Sequence, residues 1–178
     1  AASVNWGAPP LNLVYADTKG NVGWAASGRT PVRKNWDGLM PVPGDGRYEW
    51  DGFRRDLPRE LNPSRGFVAT ANNNINPPGF APPVMFKSAT TVPFDRITRL
   101  MELLRPGQRY AIEDHRRMQL DAVSLRARAE VELFRGWTAS SPEVERARRV
   151  LAEWDATLGV TSQAAAIYSA WRTVSSVA

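Results

Sequence analysis

The sequence predicts an α+β chain, with strands and loops in its first half and helices in its second. Three observations carry that prediction. All but three of the 14 prolines (Pro93, Pro106 and Pro142) fall before residue 93. Two short β-prone runs, separated by a tight turn, lie near the start. From Pro93 onward the apolar residues recur at helical spacing, and strands followed by helices are the pattern of the α+β class. The boundary is placed between a strand- and loop-rich part, 1–92, and a helical part, 93–178.

Leu11-Asn12-Leu13-Val14-Tyr15-Ala16 reads as a strand, and Val22 to Ala26 as its return partner. Between them Asp17-Thr18-Lys19-Gly20-Asn21 is turn chemistry, with Gly20 available for positive φ. Residues 28–63 are rich in loops. The run Pro41-Val42-Pro43-Gly44-Asp45-Gly46 is excluded from a central strand, because proline donates no ladder hydrogen bond. Arg65 to Ala71 reads as a further strand running into Asn72-Asn73-Asn74.

Pro93 suits a first helical turn, and Ile97, Leu100, Met101 and Leu104 mark one face before Pro106-Gly107 ends the helix. A long helix is expected from about Ile112 to Phe134, with Leu120, Val123, Ala127, Val131 and Phe134 on its stripe and Gly136 near its end. Ser141-Pro142-Glu143 supplies an N-cap, a first-turn proline and an acid at the positive helix end. Val144, Ala147, Leu151, Trp154 and Leu158 follow at helical spacing, and a last helix carries Ile167, Tyr168, Trp171 and Val174. Such stripes are packing faces.

Composition excludes several classes. Hydrophobic content is 43% and charge content 23%, a globular balance that argues against disorder. No apolar run approaches the roughly 20 residues of a membrane span. The net charge is +5, but the arginines alternate with acids, as in Glu143-Val144-Glu145-Arg146, which reads as solvated helix faces rather than a nucleic-acid surface. Cysteine is absent, so disulfides, thiol catalysis and cysteine metal sites are excluded. The lone His115 stands beside Glu113 and Asp114 on a polar face and reads as a surface residue. Asp17, Asp37, Asp45 and Asp51 sit among turns, where local hydrogen bonding outweighs a metal loop. Asn72 has two readings: turn chemistry, or an amide donor to a developing oxyanion. Arg96, early in a helix, is either a surface arginine or a group that orients such an amide or binds a carboxylate.

The ordered series of short motifs resembles one family. Asn12-Leu13-Val14-Tyr15-Ala16-Asp17, Gly20-Asn21-Val22-Gly23-Trp24, then Gly28, Pro31 and Arg33 begin it. Pro41-Val42-Pro43-Gly44, Glu49-Trp50-Asp51-Gly52 and Asn62-Pro63-Ser64-Arg65-Gly66-Phe67-Val68-Ala69-Thr70-Ala71-Asn72-Asn73 continue it. Arg96-Ile97-Thr98-Arg99-Leu100, Leu103-Leu104, Glu113-Asp114, Gln119, Asp121 and Ser124 close it, so the likeness covers roughly residues 8 to 135. Together these runs are similar to the β-subunit of the penicillin acylase (penicillin amidase) family of N-terminal-nucleophile hydrolases.

The resemblance implies the αββα sandwich of that superfamily, of which this chain is one incomplete domain. It implies hydrolysis of the amide of penicillin-like or other N-acyl substrates by an N-terminal serine whose own α-amino group is the base. That serine is expected upstream of Ala1, and Ser3 is internal, so this chain alone is expected to be inactive. By resemblance Asn72 is the oxyanion-hole asparagine, Arg96 supports the polar network of the site, and Leu11 lies where the family places an apolar residue of the acyl pocket. No cofactor is expected. A structural calcium belongs to the parent enzyme, with Gly38 offering at most a carbonyl and no matching acid among residues 77–84. The implied partners are the remaining α- and β-subunit segments and a small N-acyl amide, with no nucleic acid and no membrane span. The implied location is periplasmic or secreted. A non-enzymatic structural or binding module derived from the same fold is the alternative.

Overall fold

The computed structural model describes residues 5–84 and 95–175. Ala1, Ser3, Pro93 and the boundary at 92/93 lie outside the described residues. The chain divides into two compact units, 1–108 and 109–178. The α+β class holds: among the described residues five strands come first and five helices follow.

In the first unit, strand β1 (Leu11–Ala16) and strand β2 (Val22–Ser27) form the expected antiparallel hairpin, in register from Leu11 opposite Ser27 to Ala16 opposite Val22. The Asp17 carboxylate closes the turn by accepting from the backbone N–H of Lys19 and Asn21, both at 2.9 Å, and Gly20 has φ +85°. Strand β5 (Arg59–Leu61) pairs antiparallel with the other edge of β2, giving the order β1-β2-β5. Gly23 is required at that junction. A Cβ there would lie 2.5 Å from the Tyr15 ring and 2.9 Å from the Glu60 carbonyl oxygen. Among the unit's described residues Ala26 and Leu57 are the buried hydrophobic side chains and Ser27 the buried polar one, a small core.

Two expectations for this unit change. The loop-rich stretch also contains strand β3 (Pro31–Arg33) and strand β4 (Trp50–Phe53), which pair antiparallel as a second, two-stranded sheet. The Pro41–Gly46 run stays outside both sheets. Residues 65–71, read as a strand, form no ladder among the described residues. A turn bonding Gly66 N–H to the Pro63 carbonyl at 2.9 Å breaks the run at its start, and a strand exists only where a neighbour takes its hydrogen bonds. Helix α1 (Asp95–Leu103) belongs to this unit and carries no buried residue.

The second unit is helical: α2 (Ile112–Gln119), α3 (Leu125–Gly136), α4 (Pro142–Ala152) and α5 (Gln163–Ser175). The long helix expected over 112–134 is two helices. The Leu120 N–H closes α2 on the carbonyls of Arg116 and Arg117. The Asp121 carboxylate then takes the Val123 N–H at 3.3 Å, and Ser124 caps α3 by accepting from Ala127 N–H at 3.1 Å. The separating residues pair with the stretch after α4: Val123 bridges Thr157, and Ser124 N–H donates to the Ala156 carbonyl at 2.9 Å. An aspartate and a serine in one turn favour local bonds over the helical ladder. Ser141 caps α4 as expected, with its hydroxyl accepting from Val144 N–H at 3.3 Å.

Ala127, Val131 and Phe134 of α3 pack with Leu151, Trp154, Ala156, and Ala164, Ala165 and Tyr168 of α5. The Phe134 and Trp171 rings meet edge to face at 5.1 Å, and Trp154 lies 5.3 Å from Tyr168. The Tyr168 hydroxyl donates to the Glu130 carboxylate at 2.6 Å, so this buried polar atom is satisfied. Burial first, then Glu130, pushes that phenol up to about 12. The alternating charges of α4 form ion pairs along the helix: Arg148 and Arg149 hold the Glu145 carboxyl down at about 2.

Leu151 is 3% exposed at the centre of this cluster. Leu151→Ala is expected to cost ~2–5 kcal/mol in equilibrium denaturation, the range for a buried leucine whose cavity collapses only partly. A cost under about 1 kcal/mol would mean that the three helices do not close on this residue.

Candidate functional site

The site is built on the segment that leaves β5. Asn62, with φ +49°, pins that exit to the hairpin turn. Its N–H donates to the Val22 carbonyl at 2.8 Å, its side-chain oxygen accepts from Val22 N–H at 3.0 Å, and its amide nitrogen donates to Asn21 Oδ1 at 2.9 Å. Glu60 provides a second anchor. Its carboxylate accepts from the Trp24 indole at 3.0 Å and from both terminal nitrogens of Arg65, the Nη1 bond being 2.8 Å. Arg65 in turn lies over the Phe67 ring at 5.7 Å. The fork geometry of guanidinium on carboxylate fixes direction as well as distance.

A third anchor lies downstream. The Arg54 side chain, 8% exposed, pairs with Asp56, stacks on Phe80 at 4.8 Å and donates to the Pro82 carbonyl. That arginine holds the Asp56 carboxyl below its ordinary value. Asn76 Oδ1 accepts from Val84 N–H at 2.9 Å, and Asn74 Oδ1 accepts from Asn76 N–H at 3.0 Å. The asparagine run is therefore turn chemistry over most of its length.

Asn72 differs from its neighbours. Its φ is +57°, left-handed backbone that costs a non-glycine residue roughly 1–2 kcal/mol and that asparagine tolerates better than most. It sits in a bend, not at the end of a strand as expected. Arg96, in the first turn of α1, reaches it from 24 residues away. One guanidinium nitrogen, Nη2, donates to Asn72 Oδ1 at 2.8 Å and to the Ala71 carbonyl at 3.0 Å. With Oδ1 committed to a cation, the amide has one orientation, because the NH2 end would face another donor. The Nδ2 group points away and donates to nothing among the described residues. Both side chains are exposed. This arrangement offers a fixed N–H donor beside a positive charge, which is the equipment for stabilising negative charge on a carbonyl oxygen.

The structure thus joins Asn72 and Arg96. Leu11 is the first residue of β1, 43% exposed, with its carbonyl accepting from the Ser27 hydroxyl at 3.0 Å. Among the described residues no hydrogen bond links it to the pair. His115 is exposed on α2, its ring 6.0 Å from that of Tyr110. The residues present do not fit a calcium. Among the described residues no three carboxylates or histidines cluster, and Gly38 by itself offers only a neutral backbone carbonyl. Sequence reasoning missed Asn62, Glu60 and Arg65 as anchors. The asparagine before a proline was a usable signal for the first, since asparagine tolerates left-handed backbone. The other two carried none, because charge pairing across a turn has no fixed spacing.

The Glu60 carboxyl lies below its ordinary value of 4.5, mainly through Arg65, with Trp24 adding to it. A carboxyl depressed in the folded state contributes stability that is fully present above its unfolded value and is lost as pH falls through the folded value. Glu60→Gln is therefore expected to flatten the loss of stability below about pH 4.5, read from melting temperature against pH. An unchanged acid limb in the variant would remove Glu60 from that role.

A family model described as penicillin amidase matches residues 1–176. The acyl-homoserine lactone acylase QuiP of Pseudomonas aeruginosa is 33% identical over 182 residues, covering 92% of this chain and 21% of that protein. The penicillin acylase 2 proenzyme of Pseudomonas sp. strain SE83 is 33% identical over 179 residues, covering 96% and 22%. The chain thus spans about a fifth of the length of these curated relatives. The thermostable penicillin G acylase from Alcaligenes faecalis superposes with a TM-score of 0.62 at 23% identity, over 84% of this chain and 28% of that one. The fold is shared with that enzyme.

Proposed function

Because this chain belongs to the penicillin amidase family, we propose that it contributes the oxyanion-stabilising part of an N-acyl amide hydrolase. The observation that carries this is the Asn72 amide, oriented by Arg96 at 2.8 Å with its Nδ2 uncommitted. The nucleophile is an N-terminal serine supplied by another segment of the same enzyme. Its hydroxyl attacks the scissile carbonyl while its α-amino group takes the proton. Negative charge gathers on the carbonyl oxygen, where Asn72 Nδ2 donates. Collapse expels the amine with the proton and leaves an acyl-serine ester. Water then attacks the ester through a second oxyanion on the same donor and releases the acid. Arg96 keeps the donor aimed and does not touch the reacting atoms.

The partners are the other α- and β-segments of the processed enzyme, and the location is the periplasm or the exterior. Coverage of about a fifth of each relative's length supports a role as one part of a larger catalyst. Relatives named for penicillin and for acyl-homoserine lactones leave the N-acyl amide as the substrate class common to them.

Asn72→Ala in the full precursor is expected to lower turnover of chromogenic N-acyl amides about 100- to 1,000-fold, the cost of one oxyanion donor, while processing into subunits continues. Near-normal turnover in the processed variant would sink the assignment.

A further inference from the structure

The geometry points to Asn73 as a positioning residue that holds Asn72 in its donor pose, an inference that rests on the oxyanion reading of Asn72. Asn72 keeps a left-handed backbone, φ +57°, and such a conformation persists only where its surroundings over-determine it. Arg96 supplies part of that restraint by binding the Ala71 carbonyl and the Asn72 amide oxygen. The other backbone group of Ala71 is held from the opposite direction. Its N–H donates to Asn73 Oδ1 at 3.0 Å. The Asn73 side chain therefore folds back across Asn72 and closes a ring around it. If Asn72 relaxes out of the left-handed region, Asn73 swings away and the ring opens. The remaining end of the Asn73 amide is engaged as well, since Nδ2 donates to the Asn74 carbonyl at 3.1 Å. Asn73 is half-buried where Asn72 is exposed. Of the two adjacent amides, one is spent on the backbone and the other is left to face a ligand.

A residue that only aims the oxyanion donor should affect the transition state and not ground-state binding. In the full, processed enzyme, Asn73→Ala is expected to lower kcat about 10- to 100-fold, the cost of a small misplacement in a reactive geometry, with KM changed less than about twofold. The discriminating measurement is a double-mutant cycle. Once Asn72→Ala has removed the donor, adding Asn73→Ala is expected to cost less than about twofold more. Turnover of Asn73→Ala within about twofold of the parent, beside an impaired Asn72→Ala, overturns the inference alone. So does a full Asn73→Ala loss that persists in the Asn72→Ala background, which would be a structural effect. Near-normal turnover of Asn72→Ala removes the oxyanion reading itself, and the role of Asn73 with it. If Asn73→Ala is not processed, the same cycle is run with Asn73→Leu, which keeps the bulk of the side chain and removes its acceptor, and the same criteria decide.

Discussion

A single guanidinium nitrogen of Arg96 donates to both the Ala71 carbonyl and the Asn72 amide oxygen, and the candidate site has no defined direction without it. An exposed asparagine in a bend would otherwise sample both amide orientations. The charged donor selects one, because placing the NH2 end there would set donor against donor. It also ties the first turn of α1 to a segment 24 residues earlier. For that contact to form, residues 67–84 must already lie within reach of α1. Three anchors hold that segment to the rest of its unit: Asn62 at the exit from β5, Glu60 with Arg65 at the start of the segment, and Arg54 on Phe80 and Pro82 at its far side.

The two units are stabilised by different means. The helical unit has an aromatic core in which Phe134, Trp154, Tyr168 and Trp171 contact one another in edge-on and tilted pairs. The unit that carries the site buries little apolar surface, with Ala26 and Leu57 as its buried hydrophobic residues. Its precision comes from polar contacts that are directional and individually modest, each net bond contributing about 0.5–1.5 kcal/mol and somewhat more where one partner is charged. That is a workable basis for a site on a loop. Apolar packing fixes distance well but orientation poorly, whereas a forked arginine fixes both.

How much of this was legible in the sequence follows the range of the interactions. The β1–β2 hairpin could be read because its pattern and its turn are local: apolar runs flank Asp17 and Gly20. The caps at Ser141 and Pro142 are local as well, and the structure has them. The break between α2 and α3 was equally local, in Asp121 and Ser124, but the apolar stripe through Leu120 and Val123 outweighed it. Leu120 is in fact 83% exposed, so the stripe there was accidental. The run from Arg65 to Ala71 has strand composition without a strand, because β structure depends on a neighbour that the run itself does not specify. The same limit applies to the site. The residues alone left Asn72 between turn and oxyanion donor and Arg96 between surface arginine and orienting group, and only resemblance to a family chose between those readings. The left-handed backbone of Asn72 was invisible for another reason: asparagine runs are common in turns, and the sequence does not say which member takes the strained position.

That strained position has a chemical consequence beyond aim. A carboxamide is a dipole with its negative end on Oδ1 and its positive end on the NH2 group. A guanidinium bound at Oδ1 draws electron density toward that oxygen and makes the opposite N–H a stronger donor, the mutual polarisation seen in chains of hydrogen bonds. In the proposed role, Arg96 would act on a developing oxyanion twice, through the amide it polarises and through its own charge beyond it. Placing the donor on a side chain lets one nitrogen of Arg96 set position and strength together, with the Ala71 carbonyl on that same nitrogen keeping the guanidinium from turning away.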